Sequence, residues 1–131
     1  MKGKIIQSMK PRAKKPLAGE AGVQFAIVQY IKVMYPNALY CASAGGMFTS
    51  MKQAIKMKAT GYVKGFPDLQ ICEPIGTYFG LFIEVKTEKG VVSKEQKEWI
   101  KELNKRGYYA TYVKGFEAAQ KIIDDYFKGA I

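Results

Sequence analysis

The sequence predicts an α/β fold, a central mixed sheet of four strands flanked by helices in the order αβαββαβα. Three observations carry this expectation. Apolar residues recur at three- and four-residue steps in separate segments, and short runs rich in β-branched and aromatic residues alternate with them. Two of those runs adjoin across a short turn, as an antiparallel hairpin does, whereas others return only after a helix. At 131 residues, with 48% hydrophobic and 24% charged residues, the chain has the size and composition of one globular domain with one core.

The elements follow in order. Residues 1–16 hold Lys2, Lys4, Lys10, Arg12, Lys14 and Lys15 with little apolar content beyond Ile5 and Ile6. They are expected to form a flexible basic arm ahead of a single domain over 17–131. From Ala18, the positions Val23, Ala26, Ile27, Tyr30, Ile31 and Met34 trace one face of a helix that Pro36 and Asn37 stop. Residues 38–43 suit a short strand. Gly45-Gly46 then turn the chain into a second amphipathic segment over 47–59, with Met51, Ala54 and Ile55 expected to face inward and Lys52 and Lys56 outward. Gly61 and Gly65 bracket a loop that carries Lys64 and ends at Pro67-Asp68. Strands are expected from Asp68 to Cys72 and, after a Pro74–Thr77 turn, from Tyr78 to Thr87. Ser93 opens a third helix that Gly107 closes, Tyr108–Lys114 reads as a strand, and Phe116, Ala119, Ile123 and Phe127 stand in register on a last helix.

Composition excludes several chemistries. Histidine is absent, which removes Ser-His-Asp and Cys-His hydrolysis, histidine-ligated zinc and histidine general bases. Cys41 and Cys72 lack any metal-ligand spacing and are expected to be buried small residues in a reducing compartment. No apolar run reaches 18 residues and the basic, proline-broken start lacks a secretory stretch, so a soluble cytoplasmic protein with no membrane partner is expected. The net charge of +10 is one-sided: residues 1–67 hold eleven Lys/Arg against the single acid Glu20, while residues 68–131 balance ten against ten. Such asymmetry is the footprint of a polyanion binder, and Lys14, Lys15, Lys52, Lys56 and Lys64 are the expected nucleic-acid contacts.

The chemistry is expected around Asp68, Glu84 and Lys86. Alternation along 81–86 points Leu81, Ile83 and Val85 to one face of a strand and Phe82, Glu84 and Lys86 to the other. Asp68 begins the partner strand near the same edge, so two carboxylates and an ammonium converge. Asp68 and Glu84 suit a hard cation such as Mg²⁺, with the Val85 carbonyl as a third ligand, and Lys86 suits orienting or deprotonating a water for phosphodiester hydrolysis. Glu-x-Lys alone is expected about once by chance in this composition. The second copy, Glu95-Gln96-Lys97, falls on a helix, where residues two apart diverge by about 200°. A plain salt bridge between Glu84 and Lys86 is the alternative. Glu20, the lone acid of its half, falls on or beside the buried stripe of the first helix, either as a site residue or as a first-turn glutamate favoured by the helix dipole. Ser93 and Gln96 form a capping box, and Gln96, one short loop after the Glu84 strand, is also placed to approach a phosphate or the water.

Glu20 on a first helix, Gly65-Phe66-Pro67-Asp68-Leu69, Ile83-Glu84-Val85-Lys86, and Ser93-Lys94-Glu95-Gln96 followed by Trp99 together resemble the virus-type replication-repair nuclease (VRR-NUC) domain, a branch of the PD-(D/E)xK nuclease superfamily. The resemblance spans Ala18 to Tyr112. It implies a restriction-endonuclease-like fold, dependence on Mg²⁺ or Mn²⁺, metal binding by Glu20, Asp68 and Glu84, catalysis by Lys86 and support from Gln96. Stand-alone members, common in phages and bacteria, are similar to homodimeric endonucleases of four-way (Holliday) junctions, whereas versions within larger eukaryotic repair proteins resemble flap nucleases. With no added DNA-binding domain expected, a metal-dependent junction resolvase acting on branched DNA as a homodimer is the leading expectation. The rivals are a non-catalytic nucleic-acid-binding module and a flap or restriction-type nuclease.

Overall fold

The computed structural model describes residues 17–44 and 50–131. Its elements are α1 (Gly19–Met34), β1 (Tyr40–Ala42), α2 (Met51–Ala59), β2 (Leu69–Ile71), β3 (Leu81–Lys86), α3 (Lys94–Lys105), β4 (Tyr109–Lys114) and α4 (Phe116–Lys128), the predicted order. The basic arm, with Lys14 and Lys15, and the Gly45-Gly46 turn lie outside the described residues. Among the described residues, no helix is long and apolar enough to cross a membrane.

The four strands pair in the order β1-β2-β3-β4. β2 runs antiparallel to both β1 and β3, while β3 and β4 are parallel, so the sheet is mixed as expected. Parallel neighbours need a crossover, and α3 supplies it. β3 sits between two strands and between two layers, and all six of its residues are buried. Leu81, Ile83 and Val85 enter the main core with Leu69, Ile71 and Val113 beneath α1 and α4. Phe82 enters a second cluster with Leu103 and Ala110, bordered by Phe66, Trp99, Ile100 and Tyr108, beneath α3. An apolar strand buried on both faces is what the near-continuous hydrophobic run requires. β3 begins at Leu81 rather than Tyr78, because Ile75 and Tyr78 close a turn by exchanging backbone hydrogen bonds of 3.1 and 3.0 Å.

Two further expectations fail. In α2, Met51 and Ile55 are 81% and 63% exposed and no residue is buried, so the apolar stripe faces outward, not inward. The helix is held at its ends instead: Ser50 and Gln53 form a capping box, and the Thr60 hydroxyl donates to the Lys56 carbonyl. Periodicity shows which residues share a face but not where that face points. Cys41 and Cys72 are exposed rather than buried. Strand register places Cys41 on the same sheet face as Gln70 and Phe82, but on the edge strand β1, beyond the part that α3 covers.

The seam between α1 and α4 holds a polar cluster. Tyr30 and Tyr35 both donate their hydroxyls to Asp124, Tyr30 at 2.7 Å. Burial pushes the Asp124 carboxyl up, but the two phenol hydrogen bonds and Lys128 outweigh it and hold it below the ordinary aspartate value. A depressed carboxylate contributes stability above its unfolded value that disappears as pH falls through the folded one. Asp124→Asn is therefore expected to cost about 1–2 kcal/mol at neutral pH and to flatten the loss of stability on acidification, measured by urea unfolding against pH.

Candidate active site

The segment before β2 fixes Asp68. Gly65 adopts φ +96°, a conformation side chains rarely tolerate, and an added Cβ would lie 2.7 Å from the Glu95 backbone. Glycine alone thus lets the loop press against the start of α3. Phe66 then locks it, meeting Trp99 and Phe82 edge-on with ring centroids 5.0 and 5.8 Å apart. The Trp99 indole N–H donates to the Lys64 carbonyl at 3.1 Å. Asp68 emerges at the end of this brace, where its Oδ2 accepts the Val85 backbone N–H at 2.7 Å.

That hydrogen bond orients more than Asp68. The N–H and C=O of one strand residue point to the same side, so the Val85 carbonyl faces the Asp68 edge, as the ligand expectation requires. The Lys86 carbonyl faces the other way and accepts the Gly115 N–H at 2.9 Å.

Glu84 and Lys86 follow on the opposite side chain face from Val85. They are the buried charged residues of the described chain, 2% and 7% exposed. Lys86 Nζ lies 3.6 Å from Glu84 and 3.8 Å from Glu20, whose side chain is 49% exposed in the first turn of α1. Glu20 is thus a half-exposed first-turn residue, beside rather than on the buried stripe, and its carboxylate comes within ion-pair reach of Lys86. Gln96 makes two contacts at once. Its Oε1 accepts the Ser93 N–H at 2.8 Å in the capping box, while its Nε2 donates to Glu84 at 2.9 Å. One side chain ties the start of α3 to the buried carboxylate.

The electrostatics are unbalanced. Burial first, then the charge of Asp68 beside it, raise the Glu84 pKa well above the ordinary carboxylate range, and Lys86 offsets this only in part. Among the described residues, no three acids stand together at metal-holding spacing, because Lys86 lies between Glu20 and Glu84. Asp68 and Glu84 still fit a small hard cation, since Mg²⁺ commonly takes one or two carboxylates and keeps waters elsewhere. With Glu84 ionised, the three carboxylates against one ammonium would leave two negative charges, which a divalent cation would neutralise.

A cleft of about 390 Å³ opens at this edge, between the start of α1 and the end of β1, lined by Glu20, Gln24, Phe25, Ser43 and Asp68 among others. Ser43 and Gln24 were not legible as site residues in the sequence. The Ser43 backbone N–H donates to the Asp68 carbonyl at 2.8 Å, and its buried hydroxyl finds no partner among the described residues. No motif marks either residue; only strand pairing brings Ser43 beside Asp68. Lys52 and Lys56 are exposed on α2 and Lys64 in the following loop, outside the ion-paired cluster.

The family model of the VRR-NUC domain matches residues 20–117, which contain every member of the cluster. A solved VRR-NUC domain protein is 30% identical over 86% of this chain and 90% of its own, with a TM-score of 0.71. A second solved VRR-NUC domain, 22% identical over 82% of this chain and 96% of its own, shares the fold with a TM-score of 0.55. None of the curated proteins matches the chain. With its restriction-endonuclease-like α/β fold and the motif residues drawn together at the end of β3, the chain belongs to the VRR-NUC family of nuclease domains.

Proposed function

We propose that the chain is a divalent-metal-dependent DNA endonuclease that hydrolyses phosphodiester bonds in branched DNA, four-way junctions above all, as a homodimer. The observation that carries the reading is the charge imbalance at the end of β3, where Glu84 and Lys86 are nearly sealed from water beside Asp68 and Glu20. Asp68, Glu84 and the Val85 carbonyl would hold Mg²⁺ or Mn²⁺, with Glu20 reaching it directly or through water. When bound, such an ion polarises the scissile phosphate and lowers the pKa of water.

The chain's own residues do the rest. Lys86, held by Glu20 and Glu84, keeps its ammonium aimed at the phosphate edge, where it orients the attacking water and offsets developing charge. Gln96 fixes Glu84, and the Val85 N–H fixes Asp68, so neither carboxylate needs to reorganise during the reaction. Lys52, Lys56 and Lys64, joined by Lys14 and Lys15, bind backbone phosphates and release their counterions. A two-fold dimer presents paired sites to a substrate of matching symmetry.

The test offers labelled four-way junction, flap and linear duplex to the protein with Mg²⁺ or EDTA. Paired, Mg²⁺-dependent cuts in the junction are expected. Preference for the flap, or discrete bands from linear duplex, would overturn the junction assignment. Salt-sensitive binding without any product would overturn catalysis itself.

A further inference from the structure

α2 is amphipathic in the wrong direction for a helix of an isolated domain. At 100° per residue, Met51 and Ile55 share one stripe with Lys58 on one flank and Lys52 and Lys56 on the other, while Met57 turns to the opposite side. Met57 is half-buried, whereas Met51 and Ile55 are 81% and 63% exposed. Nine residues form too short a helix to be stable on local terms alone. An exposed apolar stripe on such a helix points to a partner.

A complementary surface lies on α3. A groove of about 320 Å³ runs along it, lined by Trp99 and Leu103 with Glu98, Glu102 and Arg106. Glu102 is occupied by Lys105 and Arg106 at 3.3 and 2.7 Å, whereas Glu98 makes no ion pair among the described residues. α2 carries three lysines and no acid, so the two surfaces match in both charge and polarity.

We infer that α2 of one copy docks in the α3 groove of a second, Met51 and Ile55 against Trp99 and Leu103 with Lys58 facing Glu98. A two-fold axis makes the reciprocal contact at the same time. The inference rests on the dimer proposed above and names its surface. It leaves Lys52 and Lys56, on the other flank, free for DNA. Phosphates would leave the Met51–Ile55 stripe uncovered, so DNA is the weaker occupant.

Sedimentation of the full chain across a dilution series tests this, with circular dichroism confirming that each variant folds. The native chain is expected to dimerise, and Ile55→Asp to weaken the dimer by roughly 30-fold or more. Lys58→Glu and Glu98→Lys should each weaken it, and the double variant should recover it. A dimer of native strength in Ile55→Asp, or no recovery in the double variant, overturns this surface while leaving the proposed dimer standing. A native chain that is monomeric yet cuts junctions overturns the surface and the dimer but not the nuclease. If Ile55→Asp keeps the dimer but loses DNA affinity, the stripe belongs to DNA and the inference fails.

Discussion

Lys86→Ala is expected to lower the rate of junction cleavage by about 10²–10⁴-fold while salt-sensitive DNA binding survives. Lys86 is the ammonium that ion-pairs with both Glu84 and Glu20, and only 7% of it is exposed. Its loss removes the group aimed at the phosphate, whereas the exposed lysines of α2 and the following loop are untouched. The same substitution removes the charge that partly offsets burial and Asp68 at Glu84, so Glu84 holds its proton to higher pH, while the lost ion pairs and the lost packing of the Lys86 stem lower stability. Single-turnover rates below the unfolding midpoint separate the two effects. Lys86→Arg provides the control: it keeps a positive charge, but a planar guanidinium replaces a compact ammonium, so stability should recover further than rate. Native-like cleavage by Lys86→Ala would remove Lys86 from the chemistry.

Glu84→Gln has effects of opposite sign on stability and activity. Cleavage should fall by about 10³-fold or more, because on the proposed mechanism a ligand oxygen and its charge are lost together. In EDTA the folded variant should be more stable than the native chain at neutral pH. Burial and the neighbouring Asp68 raise the Glu84 pKa from 4.5 to about 8, so the ionised side chain opposes folding. The sign follows from linkage: a carboxyl raised in the folded state loses stability as pH climbs from its unfolded value to its folded one. The native chain should therefore melt at falling temperatures as pH rises through that window, and Glu84→Gln should melt on a flatter line. Gln96 can still donate to the amide oxygen, so the cap of α3 survives. A variant less stable than the native chain at pH 7.5 would mean that the Lys86 pairing outweighs the repulsion from Asp68. On the proposed mechanism, Glu84 would carry a stability cost in the metal-free chain, a common trade at functional sites.

Much of this was legible in the sequence, for identifiable reasons. Strand alternation placed Glu84 and Lys86 on one face and Val85 on the other, because a period of two admits no other arrangement. The glycine and proline before Asp68 announced a fixed turn, and Ser93 with Gln96 announced a cap. These are local rules, and they held locally. What failed depended on contacts distant along the chain. The outward stripe of α2 and the exposure of Cys41 were set by which sheet regions the helices cover, which periodicity does not encode. Ser43 joins the cleft only through pairing of β1 with β2, and Asp124 meets Tyr30 across 94 residues. Glu20 stands in the exposed first turn of α1, one of the two placements the sequence allowed, and which charge it would meet was settled only by the packing that brings Lys86 within 3.8 Å.

The central claim is that Asp68, Glu84 and Lys86 form a metal-dependent phosphodiesterase centre. Product formed from a labelled four-way junction, in Mg²⁺ against EDTA and with the native chain against Asp68→Asn, tests it most directly. Cleavage by the native chain in Mg²⁺, with none in EDTA and almost none by Asp68→Asn, is the predicted result; undiminished cleavage in EDTA or by the variant would contradict it.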